Sequence, residues 1–191
     1  MKRRTHPVVM LALVVGWFSN AQAVEYKDVN RTASQISFTF QQFGQRVYGT
    51  FSDFEGTLTF DTQKPEAAHA LLKIQLASID AGSQDANTRL QQPAWFDTAT
   101  YPVGVYESNG ARALGDNRYR ITGNLTIKGI TRPVNIEVVL KEQSGIGVFD
   151  GEFILNRDDF HIGEGEWAGN SVVSNGINIK FKMVAPQRYG P

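Results

Sequence analysis

The chain has 191 residues, in which 19 Lys and Arg balance 19 Asp and Glu, and it contains no cysteine. The length suits one domain with a sizeable core. The lack of cysteine excludes disulfides, thiol catalysis and thiolate metal sites, and the scattered basic residues argue against nucleic acid or an anionic membrane surface as the main partner.

Residues 1–23 have the layout of a secretory leader. Lys2, Arg3 and Arg4 precede an uncharged apolar run from 8 to 18, and Ala21-Gln22-Ala23 supplies a small-x-small cleavage pattern. The run is shorter than the roughly 20 apolar residues of a membrane span. Cleavage is expected after Ala23, leaving 168 of the 191 residues; three of the 19 basic residues and no acidic one are lost, so 16 face 19 and the net charge becomes −3.

Beyond the leader, period-two alternation dominates. Ile36, Phe38 and Phe40 alternate with Ser37 and Thr39. A corner at Phe43-Gly44-Gln45 leads to Val47, Gly49 and Phe51, and Ser52-Asp53-Phe54 interrupts the pattern before Gly56, Leu58 and Phe60. Pro65 to His69 reads as a turn or short helical piece, followed by Leu72, Ile74 and Leu76. Val103 and Val105 follow Tyr101-Pro102, and Tyr119 to Ile127 alternates throughout. Gly129 then turns the chain into Val134, Ile136, Val138 and Leu140; Phe149 to Leu155 and Ile177 to Met183 complete the series. Eight or nine strands with hairpin-sized gaps predict an all-β, up-and-down sandwich or barrel, and eight is the number whose interior holds side chains or one small ligand.

Residues 80–101 break the rhythm. Ser83 is the expected N-cap of a short helix over about 84–91, with a break at Pro93 and a further turn through Asp97. This insertion, near residues 84–97, reads either as a lid over an open barrel end or as a connector packed outside.

Catalytic signatures are thin. His69 lies in a polar turn. His161 has Asp158, Asp159, Glu164 and Glu166 nearby, which suits a divalent metal, but the order matches neither an EF-hand loop nor H-E-x-x-H, and an acidic turn is the preferred reading. There is no G-x-S-x-G, and Gly145-Ile-Gly147 and Gly163-Glu-Gly165 lack dinucleotide spacing. No catalytic residue and no metal site are assigned. Eleven of the twelve Phe follow residue 23, many on one strand phase; they form either a packed core or the wall of a hydrophobic tunnel.

Four stretches resemble the YceI-like family of bacterial periplasmic proteins, over essentially all of residues 24–185. They are the F-x-x-F-x-G-x-L-x-F-D pattern from Phe51 to Asp61, and Gly123-Asn-Leu-Thr-Ile-Lys-Gly-Ile-Thr-Arg-Pro-Val134. The other two are Ser78-Ile-Asp80 with Trp95-Phe96-Asp97 and Tyr101-Pro102, and Arg157-Asp-Asp-Phe160. The resemblance implies an eight-stranded antiparallel lipocalin-like barrel, periplasmic, with a long hydrophobic pocket for a polyisoprenoid or isoprenoid-quinone tail, a link to stress, and no catalytic residues or other cofactor. Strand phase predicts the lining as Phe38, Phe40, Phe51, Leu58, Phe60, Ile74, Ile121, Leu125, Ile136, Val138, Phe153 and Phe181. Strands of about eight residues give a barrel of about 26 Å, shorter than an extended tail of eight isoprene units. The chain departs from the family at Gln41-Gln42, at Ala86-Asn87-Thr88-Arg89, at His161 and at Asn175-Gly176. The alternative is a filled barrel acting as a stress-related protein-interaction module. The partners considered are an isoprenoid lipid, membrane electron-transfer proteins and a second copy of the chain, with no nucleic acid and no membrane span after cleavage.

Overall fold

The computed structural model describes residues 24–169 and 171–189; the predicted leader lies outside the described residues. In chain order the strands are β1 (Val24–Lys27), β2 (Gln35–Gln42), β3 (Gln45–Phe51), β4 (Phe54–Asp61), β5 (His69–Gln75) and β6 (Ile79–Asp80), then helix α1 (Gln84–Leu90), then β7 (Val103–Gly115), β8 (Arg118–Ile127), β9 (Ile130–Gln143), β10 (Ile146–Asn156) and β11 (Gly176–Tyr189). Strands β1, β4, β5, β7, β8, β9, β10 and β11 close into an antiparallel ring through the β1–β11 pairing. The fold is all-β, an eight-stranded up-and-down barrel with one short helix.

The remaining strands are continuations of the first three staves. β11 pairs with β1 near its end (Val24↔Tyr189) and with β2 nearer its start (Phe38↔Ile179), so β1 and β2 are two halves of one stave. β3 and β4 break at Ser52-Asp53, and β5 and β6 at the 3-10 turn Leu76–Ser78. The two breaks match: Ser78 Oγ accepts from Asp53 N at 3.0 Å, and Ser78 O from Ser52 N at 3.3 Å. Leu76, expected to extend its strand, lies in this break. Four two-residue hairpin turns, Phe43-Gly44, Asp116-Asn117, Lys128-Gly129 and Ser144-Gly145, have positive φ at both positions. Their mirror-image geometry suits the right-handed strand twist.

The two ends of the barrel differ. At the end where β1 is bonded on both sides, the rings of Tyr26, Phe60, Tyr119 and Phe149 meet across the interior. Phe60 stands edge-on to Tyr119 at 4.9 Å and to Phe149 at 5.4 Å, and Tyr26 edge-on to Phe149 at 5.3 Å. This end is a solid floor, backed by Leu140 and Ala185 at 1% and 0% exposure. At the other end, the mouth, β6 pairs only with β3. The chain leaves the sheet there to form α1 and the turns that follow it. Residues 93–96 form turns rather than the further helical turn expected, with Asp97 at φ 48°.

Candidate ligand chamber

Between floor and mouth lie two adjoining apolar spaces of about 120 Å³ each, which share Ile36, Ile74, Leu125, Phe153 and Ile179 as walls. The floor-side space is also lined by Leu58, Ile121, Ile136, Val138 and Phe181, and the mouth-side space by Phe38, Phe40 and Phe51. Eleven of the twelve residues singled out by strand phase therefore line one chamber. The twelfth, Phe60, is 1% exposed and belongs to the floor. The barrel is thus filled at its floor and hollow between floor and roof.

The roof is built by two segments. One is α1 with residues 91–98. Ser83 caps α1, its Oγ accepting from Ala86 N at 3.2 Å, and Asn87 Oδ1 accepts from Ala81 N at 2.7 Å, tying the helix to β6. Leu90, Trp95 and Phe96 face the mouth-side space. The other is the loop 157–175, which contributes Ile162 and Val173. Backbone amides of Gly163 and Glu164 donate to Ala94 O at 2.7 and 2.9 Å, and Lys128 Nζ donates to Pro93 O at 3.1 Å and His161 O at 2.7 Å. The two segments are therefore latched together. Arg89 lies 4.9 Å over the Trp167 ring, which is itself 5.7 Å from Trp95.

Arg157 organises the second segment. Its side chain is 1% exposed, yet every donor direction is used. Nε donates to Ser174 O, Nη1 to Ile162 O and Gly163 O, and Nη2 to Trp167 O, Gly169 O and Val173 O, at 2.7–3.3 Å. Asp158 Oδ1 lies 3.3 Å from Nη1. The five-donor guanidinium fork is suited to gathering carbonyls from a segment whose only regular structure is short 3-10 turns, which leave those carbonyls to other donors. Sequence reasoning missed this role, and the Arg157-x-Asp-Phe match was its only trace.

The positions that depart from the family pattern carry contacts in this chain. Asn87 and Arg89 hold α1 to β6 and to Trp167. His161 adopts φ 54°, the left-handed conformation that glycine takes without penalty. Its exposed Nδ1 lies 2.8 Å from Glu164 Oε1, and that hydrogen bond holds the Glu164 carboxyl below its ordinary range. Asn175 Oδ1 accepts from Asp158 N at 3.1 Å. Among the described residues there is no group of three or more side chains arranged to hold a metal, and no helix long and apolar enough to cross a membrane. His69 is exposed at the start of β5. Within the wall, Tyr106 has a buried hydroxyl without a hydrogen-bond partner among the described residues, and burial pushes its phenol up to about 12.

A closed up-and-down barrel with a hollow apolar interior and a separate roof defines a lipocalin-like protein. The chain belongs to the YceI-like domain family, whose pattern matches residues 28–185. It is 34% identical to Protein YceI of Salmonella arizonae over 160 residues, covering 80% of this chain and 83% of the relative. It is 30% identical to a UPF0312 protein of Azotobacter vinelandii over 138 residues, covering 71% and 72%. Among solved structures, Burkholderia cenocepacia BcnA is similar with a TM-score of 0.80 and 34% identity, covering 83% of this chain and 99% of that one. A polyisoprenoid binding domain from Saccharophagus degradans shares the fold, with a TM-score of 0.66 and 18% identity, covering 87% and 99%.

Proposed function

We propose that the chain is a periplasmic binding or carrier protein that holds a polyisoprenoid or isoprenoid-quinone tail in the chamber and performs no catalytic step. The observation that carries this reading is an interior space walled by hydrocarbon side chains from nearly every stave, with an aromatic floor at one end and the roof segments over the other. Such a wall recognises length and bulk rather than charge. Each buried methylene contributes about 0.8 kcal/mol, so a tail is held without a charged partner. The eleven lining residues are its contacts, with Phe60 beneath them. The polyisoprenoid binding of the Saccharophagus domain supports the reading.

The experiment is native mass spectrometry, with lipid extraction, on protein purified from a bacterial periplasm without detergent. A stoichiometric adduct with the mass of a polyprenyl chain or quinone is expected, on a polypeptide beginning at Val24. Bare protein that also fails to take up an offered prenyl alcohol or quinone overturns the reading. A polypeptide still carrying residues 1–23 overturns the cleaved leader.

A second reading, a contact with a membrane electron-transfer protein or a second copy of the chain, is favoured by one feature. The outer face of β2, β3, β10 and β11 forms a concave groove, where Tyr48 of β3 and Ile154 of β10 are 65% and 62% exposed. Light scattering across a concentration series tests the second copy: a mass that stays monomeric removes it.

A further inference from the structure

The barrel wall is not bonded along its whole height. β9 and β10 pair from the Ser144-Gly145 turn as far as Glu137↔Glu152, and there the ladder stops. Beyond it, residues 130–136 of β9 pair only with β8, and residues 153–156 of β10 only with β11. The strands part around a cleft of about 370 Å³ at the roof end of the wall.

Two features of the sequence hold the split open. Glu137 and Glu152 stand directly opposite each other, a like-charge pairing that weakens a ladder. Each turns to a cation on its far side, Glu137 to Arg120 at 2.6 Å and Glu152 to Lys180 at 3.2 Å. Continued register would then set Asn135 against Ile154 and Pro133 against Asn156. A two-residue turn is flanked by a hydrogen-bonded pair, and such pairs alternate along the strands. The turns at Lys128-Gly129 and Ser144-Gly145 therefore both aim the backbone groups of residues 133, 135 and 137 toward β10. Pro133 meets β10 where a donor is needed and has none.

The same alternation leaves an open edge on β10. Ile154 N–H and C=O and Asn156 N–H point into the cleft, and no partner engages them among the described residues. Folded proteins blunt such edges with proline or charge. β9 has Pro133 and Arg132 there, whereas β10 presents Ile154, 62% exposed. The lining fixes the chemistry of an occupant. Backbone donors and acceptors at strand spacing call for another backbone; a hydrocarbon chain would leave them unpaired. Phe153 and Leu155 on the inner side and Ile154 on the outer side match apolar residues of an extended chain. Glu137 and Glu152 are already paired, and the charges left without an ion pair among the described residues, Arg132 and Asp159, lie toward the roof. The middle of the cleft is therefore complementary to an uncharged segment.

We infer that the β9–β10 split is a docking slot for an extended, uncharged segment of a partner protein, which adds to β10 as a further strand. The slot does not depend on what the chamber holds. The test follows the backbone amides of the nitrogen-15-labelled protein by NMR, with a capped heptapeptide of alternating valine and threonine as the probe. In the free protein, the Ile154 and Asn156 amides are expected to exchange with solvent about tenfold or more faster than that of Glu152, which the ladder bonds. Equal protection overturns the open edge. Peptide added to about 1 mM, the weak end of specific binding, is expected to shift both amides and slow their exchange. Resonances that stay in place overturn the docking.

Ile154→Pro removes the donor that faces the slot and spares β11, to which this residue presents no hydrogen-bonding edge. Peptide affinity is expected to fall about tenfold or more. Ile154→Lys, which sets a charge on the edge, gives the same readout if the proline variant does not fold, with folding checked by circular dichroism. A folded variant that binds the peptide as tightly as wild type overturns the assignment to this edge.

Discussion

Replacing Arg157 with methionine keeps most of its bulk in the roof and removes every donor. Of its six carbonyl partners, those of Ile162, Gly163 and Val173 are bonded in fully buried contacts and the other three in partly buried ones. A buried acceptor left unpaired costs about 1–3 kcal/mol, so three stranded together give about 3–9 kcal/mol. The loop relaxes and admits water, which brings the expected loss to about 3–5 kcal/mol, the range for breaking a buried charged contact. With a urea m-value of about 2–3 kcal/mol/M, the midpoint falls by about 1–2.5 M. Lysine separates charge from shape. Its ammonium has three donors instead of five and no planar fork, so Arg157→Lys is expected to lose about half as much. The assay is urea unfolding followed by fluorescence. Trp95 and Trp167, the only tryptophans past residue 23, stand 5.7 Å apart in the roof and report on it directly. If the roof opens separately, the fluorescence change precedes the loss of the β-sheet dichroism signal. An Arg157→Lys midpoint equal to wild type, or an Arg157→Met loss under about 1 kcal/mol, would refute the reasoning.

Leu125, which borders both spaces, is expected on replacement by Trp to fill the chamber and lower prenyl-chain occupancy with the dichroism spectrum retained; Ile136→Trp acts in the floor-side space. Unchanged adduct mass in both variants would place the tail elsewhere. Gly151→Ala drives a methyl into the Phe181 ring that lies over it; overpacking of this kind costs about 1–3 kcal/mol, read as a lower melting temperature. Lys128→Met releases Pro93 O and His161 O, so hydrogen exchange is expected to rise at 91–97 and 161–164 and stay unchanged in β8 and β9. Burial holds the Tyr106 phenol at about 12 in the folded chain, against about 10 unfolded. The unfolded state thus loses its proton first: stability is whole below about pH 10 and is lost as pH rises through about 12. Tyr106→Phe should flatten that decline in part, with Tyr119, also raised by burial, supplying the rest; an unaltered alkaline profile counts against this assignment.

Alternation exposed the strands because inward apolar residues take turns with outward wet ones along each stave, but it reports only which face a residue is on. Leu58 and Phe60 share a phase two residues apart, yet one lines the chamber and the other closes the floor. Depth along the axis depends on stagger between strands, which no single strand encodes. β1 was not legible because four residues carry too little pattern, and most of β7 was lost where bulges at Ser108/Gly110 and Ala113/Gly115 reset the register. The helix was legible through Ser83, whereas its place over the mouth, with Trp95 6% exposed, was one of two open readings. Arg157 was invisible for a simpler reason. An arginine beside two aspartates looks like a solvated turn, and the six carbonyls that surround it come from residues up to 17 positions away.

The pairing that closes the ring has a consequence for how the protein is made. β1 is four residues long, and one of its two neighbours, β11, is the last strand of the chain: Val24 sits opposite Tyr189. Apart from β1–β4, and from β5–β7, which the roof segment separates, every other neighbour in the eight-strand ring is consecutive in the chain and forms as a local hairpin or short return. The last step is therefore a loop closure across the whole domain, slow compared with the hairpins before it. Until β11 docks, β10 and the free side of β1 present unpaired edges, the kind of surface that recruits other chains. The interval between the emergence of β10 and the arrival of β11 is when a newly made copy is most exposed to edge-to-edge aggregation.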